Sequence, residues 1–276
     1  MLDLAVAYRI YPGVSKTPAA FSENKYKLSE LCLRSFKRAL GSMHVKVWVL
    51  LDGCPPAYEE LFRSCFTAEE LEIVALNGIG NLPTFNRQIE ILATQTEADM
   101  VYFAEDDYFY FPDALVKMVE FARRNEDVDF VTPYDHPDAY ETSERLESHR
   151  IKADVDRHWR GASSTCLTFL ARRRSLVSAQ KIFASYTSGN NDCSLWLSLT
   201  QKLELLNPRV HCSDINRVKL WLLAMRWGWR QVLFGRRYTL WSPLPTLATH
   251  MEAPCVAPLV DWQAHFWAAY DNQTGS

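Results

Sequence analysis

The spacing of apolar and polar residues predicts alternating strands and helices over the first 134 residues. Short apolar runs rich in β-forming residues predict strands, and apolar residues at every third or fourth position predict helices. This alternation is typical of an α/β fold with a mostly parallel sheet and helices on both faces. The predicted strands are 4–11, 44–53, 71–76, 99–107 and 129–134, and the predicted helices are 22–40, 56–66, 84–96 and 111–124.

The second half of the chain has a weaker periodicity. Residues 136–161 are polar and charged and predict a loop with some helix, 163–173 predict a strand, and 188–201 predict a loop that leads into a helix. The sequence contains no repeat and no convincing linker. We therefore expect one domain over residues 1–276, with a regular half (1–134) and a less regular half (135–276).

Three consecutive carboxylates follow the fourth predicted strand. Glu105, Asp106 and Asp107 lie in VYFAEDDYFYF (101–111), between an apolar run and aromatic residues. Adjacent carboxylates in such a setting repel one another, and a divalent cation that prefers oxygen ligands would relieve the repulsion. The alternative is a solvated turn at the end of a strand. Ligands of parallel sheets bind beyond the carboxyl ends of the strands, where Asp52 and the loop 77–83 are also expected.

The ordered set of motifs resembles the GT-A glycosyltransferases, most closely their family-two-like inverting members. The resemblance is carried by VWVLLDG, by GNLPTFNRQIEILA and by VYFAEDDYFYFPDAL, and it covers residues 4–134. It implies a Rossmann-like GT-A fold that binds a nucleotide-diphosphate sugar, most readily a UDP-sugar, in the first half. It also implies transfer to a hydroxyl of a glycan or lipid-linked acceptor held by the second half, with inversion at the sugar carbon.

The resemblance assigns roles to the acidic triplet. The first acid of the family pattern contacts the ribose, and the third binds the metal. Carried over, Glu105 and Asp106 lie near the nucleotide, and Asp107 is a ligand of Mn²⁺ or Mg²⁺. The first position is Glu in this chain rather than Asp, so the register of this assignment is open by one residue.

Two further roles are implied downstream. Asp192, in GNNDCSLW, stands where such enzymes carry a carboxylate that acts as general base, and the alternative is a helix cap. His250, in a proline-rich stretch, stands where many GT-A enzymes bring a late histidine back to the metal. The alternative for His250 is an ordinary surface or core residue.

The remaining candidates would hold the donor nucleotide. Tyr11 is expected to stack on the base, Arg9 to reach a phosphate, and Asp52 to accept a hydrogen bond from the base or ribose. Asn86 and Arg87, at the start of a helix, are expected near the phosphates. The structural alternatives are packing for Tyr11, a turn-forming role for Asp52 and a surface position for Arg87.

Residues 209–241 form a basic aromatic segment. It has seven Lys or Arg residues and one acid, which gives it a local charge of +6. Since the net charge of the chain is −3, the remaining residues carry −9. If 216–233 is helical, Lys219, Arg226 and Arg230 share one face. Three interpretations stay open: a core helix with a basic solvent stripe, a helix on an anionic membrane surface, or a binding surface for an anionic or lipid-linked acceptor.

Composition narrows the class of protein to which this chain can belong. The net charge of −3 does not indicate a nucleic-acid binder, and seven cysteines scattered as single residues argue against a disulfide framework. No signal peptide or membrane span is predicted, so we expect a cytoplasmic protein, with peripheral contact to the inner face of the membrane as an option. The alternatives to an enzyme of this family are a non-catalytic nucleotide- or sugar-binding protein and a nucleotidyltransferase. The segment YPGVSKTP disfavours the latter, because it has one glycine and one lysine where such enzymes often carry a glycine-rich basic loop.

Overall fold

The computed structural model describes residues 1–13, 17–141, 150–202 and 215–274. Three predicted features lie partly outside the described residues. They are the segment YPGVSKTP (residues 14–16), the polar stretch 136–161 (residues 142–149) and the start of the basic aromatic segment (residues 209–214).

The predicted alternation in the first half is confirmed. Its strands are β1 (Leu4–Ile10), β2 (Val45–Asp52), β3 (Leu71–Leu76), β4 (Met100–Glu105), β5 (Tyr108–Tyr110) and β6 (Phe130–Val131). Its helices are α1 (Lys25–Ala39), α2 (Pro56–Cys65), α3 (Asn81–Thr94) and α4 (Ala114–Arg124). The strand predicted over 99–107 therefore ends at Glu105, and a turn through Asp106 and Asp107 leads into the short strand β5.

The second half is more regular than its sequence predicts. It contains α5 (Asp138–Glu141), β7 (Ile151–Ala153), β8 (His158–Ala162), β9 (Phe169–Arg172), α6 (Arg173–Ser185), α7 (Asp192–Thr200), α8 (Ile215–Phe234), β10 (Leu240–Leu244), β11 (Ala248–His250) and α9 (Trp262–Thr274). The prediction of a loop with some helix over 136–161 was wrong where it left out strands, because β7 and most of β8 lie in this range. These strands are short and each has a charged residue in its middle, Lys152 in β7 and Arg160 in β8, so they carry little of the apolar periodicity that marks a strand.

One large sheet joins strands from both halves. Its order is β3-β2-β1-β4-β9-β6-β10-β8-β7. Among these strands, only β8 and β9 run against the others. The predicted α/β class with a mostly parallel sheet is therefore confirmed.

Burial on both faces explains the uninterrupted apolar runs of the central strands. In β1, Leu4, Val6 and Tyr8 pack into the core beneath α1, α2, α4 and α9. Ala5 and Ala7 face the opposite core, beneath α3, α6 and α7. A strand covered on both sides must be apolar at successive positions rather than at alternate ones.

The strand order reverses between β1 and β4. From β1 the sheet grows through β2 and β3 in one direction, and β4 begins the other. The Gln88 side chain, buried on α3, fixes this junction by donating to the carbonyls of Ala7 (2.7 Å) and Ala104 (3.1 Å). In open α/β sheets, ligands bind beyond the carboxyl ends of the strands at such a reversal.

Asp52, at the carboxyl end of β2, holds the neighbouring loop. Its two carboxylate oxygens accept hydrogen bonds from the backbone N–H groups of Ile79 (2.7 Å) and Gly80 (2.8 Å). Gly80 has a φ of 87°, in the region that favours glycine. The helix α3 begins directly afterwards at Asn81, three residues earlier than predicted.

Replacing Asp52 with Ala should lower the free energy of unfolding by about 2–3 kcal/mol, since two N–H groups would lose a charged acceptor. Urea denaturation would measure this loss. Glu72→Ala is the matched control, because Glu72 is an exposed carboxylate on the adjacent strand, and it should change stability by no more than about 0.5 kcal/mol. Equal losses in the two variants would contradict the role given to Asp52.

Candidate active site

The acidic triplet lies at the reversal of strand order, and its side chains are mostly shielded from solvent. The exposed fractions of the Glu105, Asp106 and Asp107 side chains are 20%, 12% and 24%. A solvated turn would leave such groups open to water. The turn instead points the three carboxylates toward three different parts of the chain.

Glu105 forms an ion pair with Arg9. The two residues are register partners across the β1–β4 ladder, and the Arg9 guanidinium donates to the Glu105 carboxylate. Arg9 also donates to the side chain of Asn81, the first residue of α3. The other oxygen of Glu105 accepts a hydrogen bond from the Thr168 hydroxyl at 2.7 Å.

Asp106 turns toward α1. Its carboxylate lies 2.6 Å from Nζ of Lys25, the first residue of that helix, and 3.5 Å from the hydroxyl of Ser29. Burial raises the pKa of Asp106 to about 6, against the opposing effect of the Lys25 charge. The Lys25 ammonium is the counter-ion of this carboxylate within the protein.

Asp107 faces His250 across 143 positions of sequence. The strand β11 pairs antiparallel with β5 and places His250 opposite Tyr108, and the Met251 N–H donates to the Asp107 carbonyl at 2.7 Å. In this β5–β11 ribbon, His250 Nε2 lies 3.3 Å from an Asp107 carboxylate oxygen. The two predicted metal ligands are thus brought together.

Each member of this pair stabilises the charge of the other. Burial by itself would raise the pKa of Asp107, but the His250 charge brings that pKa below the ordinary value. Burial by itself would lower the pKa of His250, but Asp107 raises it to about 11. Without a cation, the imidazole is therefore protonated and serves as the counter-ion.

The second oxygen of Asp107 is the observation that fits a metal. Oδ1 is buried, and no hydrogen-bond partner for it exists among the described residues. A buried carboxylate oxygen normally accepts a hydrogen bond or binds a cation. An aspartate oxygen beside an imidazole nitrogen is a donor set suited to Mn²⁺ and acceptable to Mg²⁺.

Two further residues beside His250 were not predicted from the sequence. Glu252 and Cys255 each offer one ligand atom, and these atoms and one of His250 lie within 4.8 Å of one another. The signal was present as HMEAPC (250–255), in which three residues with metal-binding side chains fall within six positions. Because a thiol is a soft ligand, the group of His250, Glu252 and Cys255 is a softer set of metal ligands than the Asp107–His250 pair.

Asp192 is the first residue of α7, and its carboxylate lies at the same edge of the sheet. The Cys193 N–H donates to the Asn191 side chain at 2.9 Å and to the Asp192 carboxylate at 2.7 Å, so both residues cap the start of the helix. Burial raises the pKa of Asp192, and Glu105 is near enough for its charge to raise it further. A carboxylate with a raised pKa is suited to accepting a proton.

The residues predicted for nucleotide binding fall into two groups. Tyr11, Arg9 and Asp52 lie at the carboxyl ends of β1 and β2, and Tyr11 is 61% exposed there. Asn86 and Arg87 both bond to Glu90 on their own helix, Asn86 at 2.7 Å and Arg87 at 3.0 Å. On α3 it is Asn81, rather than either of these, that reaches Arg9.

The predicted basic residues lie on a separate element. Lys219, Arg226 and Arg230 are exposed on α8, which packs against α7 where Gly228 meets Ser198. The site carboxylate Asp192 and the basic residues are therefore carried by two neighbouring helices.

No protein-family description matches this chain, and no curated protein is similar to it. Solved structures do resemble it. One is a protein from Desulfovibrio desulfuricans G20 assigned as a nucleotide-diphospho-sugar transferase, with 12% identity, coverage of 85% of this chain and 99% of that chain, and a TM-score of 0.44. Another is the glycosyltransferase GlyE of Streptococcus pneumoniae TIGR4, with 14% identity, coverage of 98% and 63%, and a TM-score of 0.43.

A CMP:2-keto-3-deoxy-manno-octonic acid synthetase in complex with CTP is also similar, with 13% identity, coverage of 70% of this chain and 84% of that chain, and a TM-score of 0.39. The solved structures that this chain resembles thus include a nucleotide-diphospho-sugar transferase, a glycosyltransferase and a CMP:2-keto-3-deoxy-manno-octonic acid synthetase.

Proposed function

We propose that this chain is a metal-dependent glycosyltransferase. It would move a sugar from a nucleotide-diphosphate donor, in the first instance a UDP-sugar, to a hydroxyl of a glycan or lipid-linked acceptor. The observation that carries the proposal is the Asp107–His250 pair at the reversal of strand order, in which the buried Oδ1 of Asp107 has no hydrogen-bond partner within the described part of the chain. This is the place where a sheet of this kind binds a nucleotide.

The donor would lie across the carboxyl ends of β1 and β2. The exposed ring of Tyr11 is free to stack on a base. Asp52 contributes indirectly, because both of its oxygens already hold the loop that leads into α3. Arg9, held by Glu105 and Asn81, brings a fixed positive charge toward the phosphates.

Asp107 and His250 would hold Mn²⁺ or Mg²⁺. The bound ion supplies Lewis-acid stabilisation of the charge that develops on the diphosphate, an effect worth several kcal/mol. His250 must lose its proton to become a ligand, so metal binding would release a proton. Arg9 and Lys25 keep the other two carboxylates neutralised, which leaves Asp107 as the acid available to a cation.

Asp192 would act as the general base on the acceptor side. Its carboxylate takes the proton of the acceptor hydroxyl while the hydroxyl oxygen forms a bond to the sugar C1. The bond between C1 and the phosphate oxygen breaks, and its electron pair leaves with the nucleoside diphosphate. Attack opposite to the leaving group inverts the configuration at C1.

Two alternatives give different products. A nucleotidyltransferase would join a nucleotide to a sugar and release pyrophosphate rather than a nucleoside diphosphate. A non-catalytic binding protein would hold the nucleotide and release nothing.

We also place the protein in the cytoplasm, a proposal that rests on its seven scattered single cysteines.

UDP with Mn²⁺ should raise the melting temperature more than UDP alone. At about 100 times Kd, binding adds roughly 2.7 kcal/mol, or about 5 °C for a chain of this size. Asp107→Ala should remove the dependence on metal, because Asp107 supplies the unpartnered oxygen. Differential scanning fluorimetry with UDP, GDP and dTDP, each with and without Mn²⁺ or Mg²⁺, makes the measurement.

Cys255→Ser is the control for this experiment. It removes the softer ligand beside His250 and should leave the manganese-dependent shift intact. A shift that is equal with and without metal, or one that survives in Asp107→Ala, would show that the cation does not bind as proposed.

Asp192→Asn should bind the donor normally and lose turnover by a factor of about 10²–10⁴, since the base cannot accept a proton. In the unchanged protein, kcat should fall at acid pH. The fall begins at a higher pH than for an ordinary aspartate, because burial raises the pKa of Asp192 and the base works only when ionised. Release of UDP from a panel of UDP-sugars and acceptors reports the rate.

Asn191→Ala separates the base from the helix cap. It removes one of the two side-chain acceptors of the Cys193 N–H, leaves the Asp192 carboxylate in place, and should cost no more than about 1 kcal/mol of stability while turnover is largely kept. Full turnover in Asp192→Asn, or equal losses of turnover in the two variants, would refute the general-base role.

A further inference from the structure

We propose that the exposed face of α8 docks on the surface of a membrane that carries anionic lipids. The proposal concerns the exposed residues of α8, which include neither Asp107 nor His250. It can therefore be tested whether or not the glycosyltransferase assignment is right.

The structure weighs against the interpretation of α8 as a core helix. Of its 20 residues, only Ala224 and Gly228 are buried. The helix rests on α7 through this small-residue side, where a Cβ added at Gly228 would lie 2.5 Å from the Ser198 hydroxyl oxygen. The opposite side of the helix faces outward along its length of about 30 Å.

The outward face carries a row of large apolar side chains. Ile215, Leu222, Trp229 and Leu233 follow at intervals of seven, seven and four residues, which places them on one side of a helix. Leu222 is 56% exposed and Leu233 is 60% exposed, and Phe234 at the end of the helix is 79% exposed. Exposed large apolar side chains that share one face of a helix differ from the scattered single ones of an ordinary surface and indicate an interaction site.

A row of cations runs beside the apolar row. Lys219 and Arg226 follow Ile215 and Leu222 by four residues each, and Arg230 follows Arg226 by four. The helix contains no Asp or Glu, and within the described residues no carboxylate forms an ion pair with these three cations. The guanidinium of Arg230 lies 5.2 Å from the centre of the Trp229 ring, so charge and apolar surface are in contact.

This combination favours a lipid surface over a protein partner. Apolar side chains enter the boundary between headgroups and acyl chains, tryptophan prefers that boundary, and Lys or Arg pairs with anionic headgroups at about 1 kcal/mol each. A second copy of the chain would bring one all-cationic face against another. In the described part of the chain, no helix is long and apolar enough to cross a bilayer, so contact through α8 would be peripheral.

The placement of α8 relates the docking face to the acceptor side. Ser198 meets Gly228, and the Gln201 side chain donates to the carbonyls of Gln231 and Gly235, so α7 and α8 run in the same direction. The start of α8 thus lies toward the end of α7 that carries Asp192. If the proposed function is correct, docking would bring the general base near the lipid surface.

Vesicle flotation with the full chain tests the proposal. The protein should float with phosphatidylcholine vesicles that contain phosphatidylglycerol and stay unbound with phosphatidylcholine alone, and added salt should weaken the binding. Arg226→Glu with Arg230→Glu should lower the partition coefficient at least about tenfold. Leu222→Gln with Leu233→Gln should lower it without changing its dependence on salt.

Arg34→Glu with Arg63→Glu is the matched control, because it changes the net charge equally on α1 and α2 and should leave flotation unchanged. The melting temperature of each variant shows whether the variant is folded. The dependence of flotation on lipid composition and on salt is measured on the unchanged protein and tests the proposal without any variant. Absence of flotation with anionic vesicles, equal flotation with neutral ones, or equal effects of the control and the α8 charge reversals would overturn the proposal.

Discussion

Three adjacent carboxylates at the end of one buried strand are the constraint around which this molecule is arranged. Each forms an ion pair with a cation from a different element. Glu105 pairs with Arg9 of β1, Asp106 with Lys25 of α1, and Asp107 with His250 of β11. Without these partners, the desolvation and mutual repulsion of three charges would oppose folding of the strand end. The central sheet, the first helix and the C-terminal ribbon are thereby tied to one turn.

The three cations differ in a way that matters for chemistry. Arginine and lysine hold their protons at any physiological pH, so Glu105 and Asp106 stay neutralised by fixed partners. Histidine can lose its proton when a metal cation competes for the imidazole nitrogen, since a neutral imidazole is a good metal ligand. Of the three carboxylates, Asp107 is thus the one whose counter-ion can be exchanged, and it is also the one with a buried oxygen that has no hydrogen-bond partner among the residues that the structure describes.

Much of the fold and part of the site followed from sequence, and the remainder did not for physical reasons. The long central strands and helices were predictable because burial on both faces imposes clear apolar runs. The pairing of Asp107 with His250 was accessible only through the family resemblance, because the antiparallel ribbon that joins them is three residues long on each side. The partners Arg9 and Lys25, and the sheet strands β7 and β8, depend on tertiary register, which no local pattern encodes.

The basic aromatic segment shows the same limit. Its helix and its cationic face were predictable from spacing, but exposure of the apolar row was not, since a row of leucines has the same periodicity whether it is covered or open. The decisive residue is Gly228, whose missing side chain lets α8 approach α7 by its narrowest side. The large side chains are left on the outside as a result.

The β5–β11 ribbon also bears on the order in which the protein is made. The acidic triplet leaves the ribosome some 140 residues before His250. Arg9 and Lys25 are synthesised earlier than the triplet, so two of its charges can be compensated at once during translation. The partner of Asp107 is made only when the chain reaches β11. A nascent protein would therefore hold strands β1 to β4 with one uncompensated carboxylate, and the Asp107–His250 pair would form only after β11 has been synthesised.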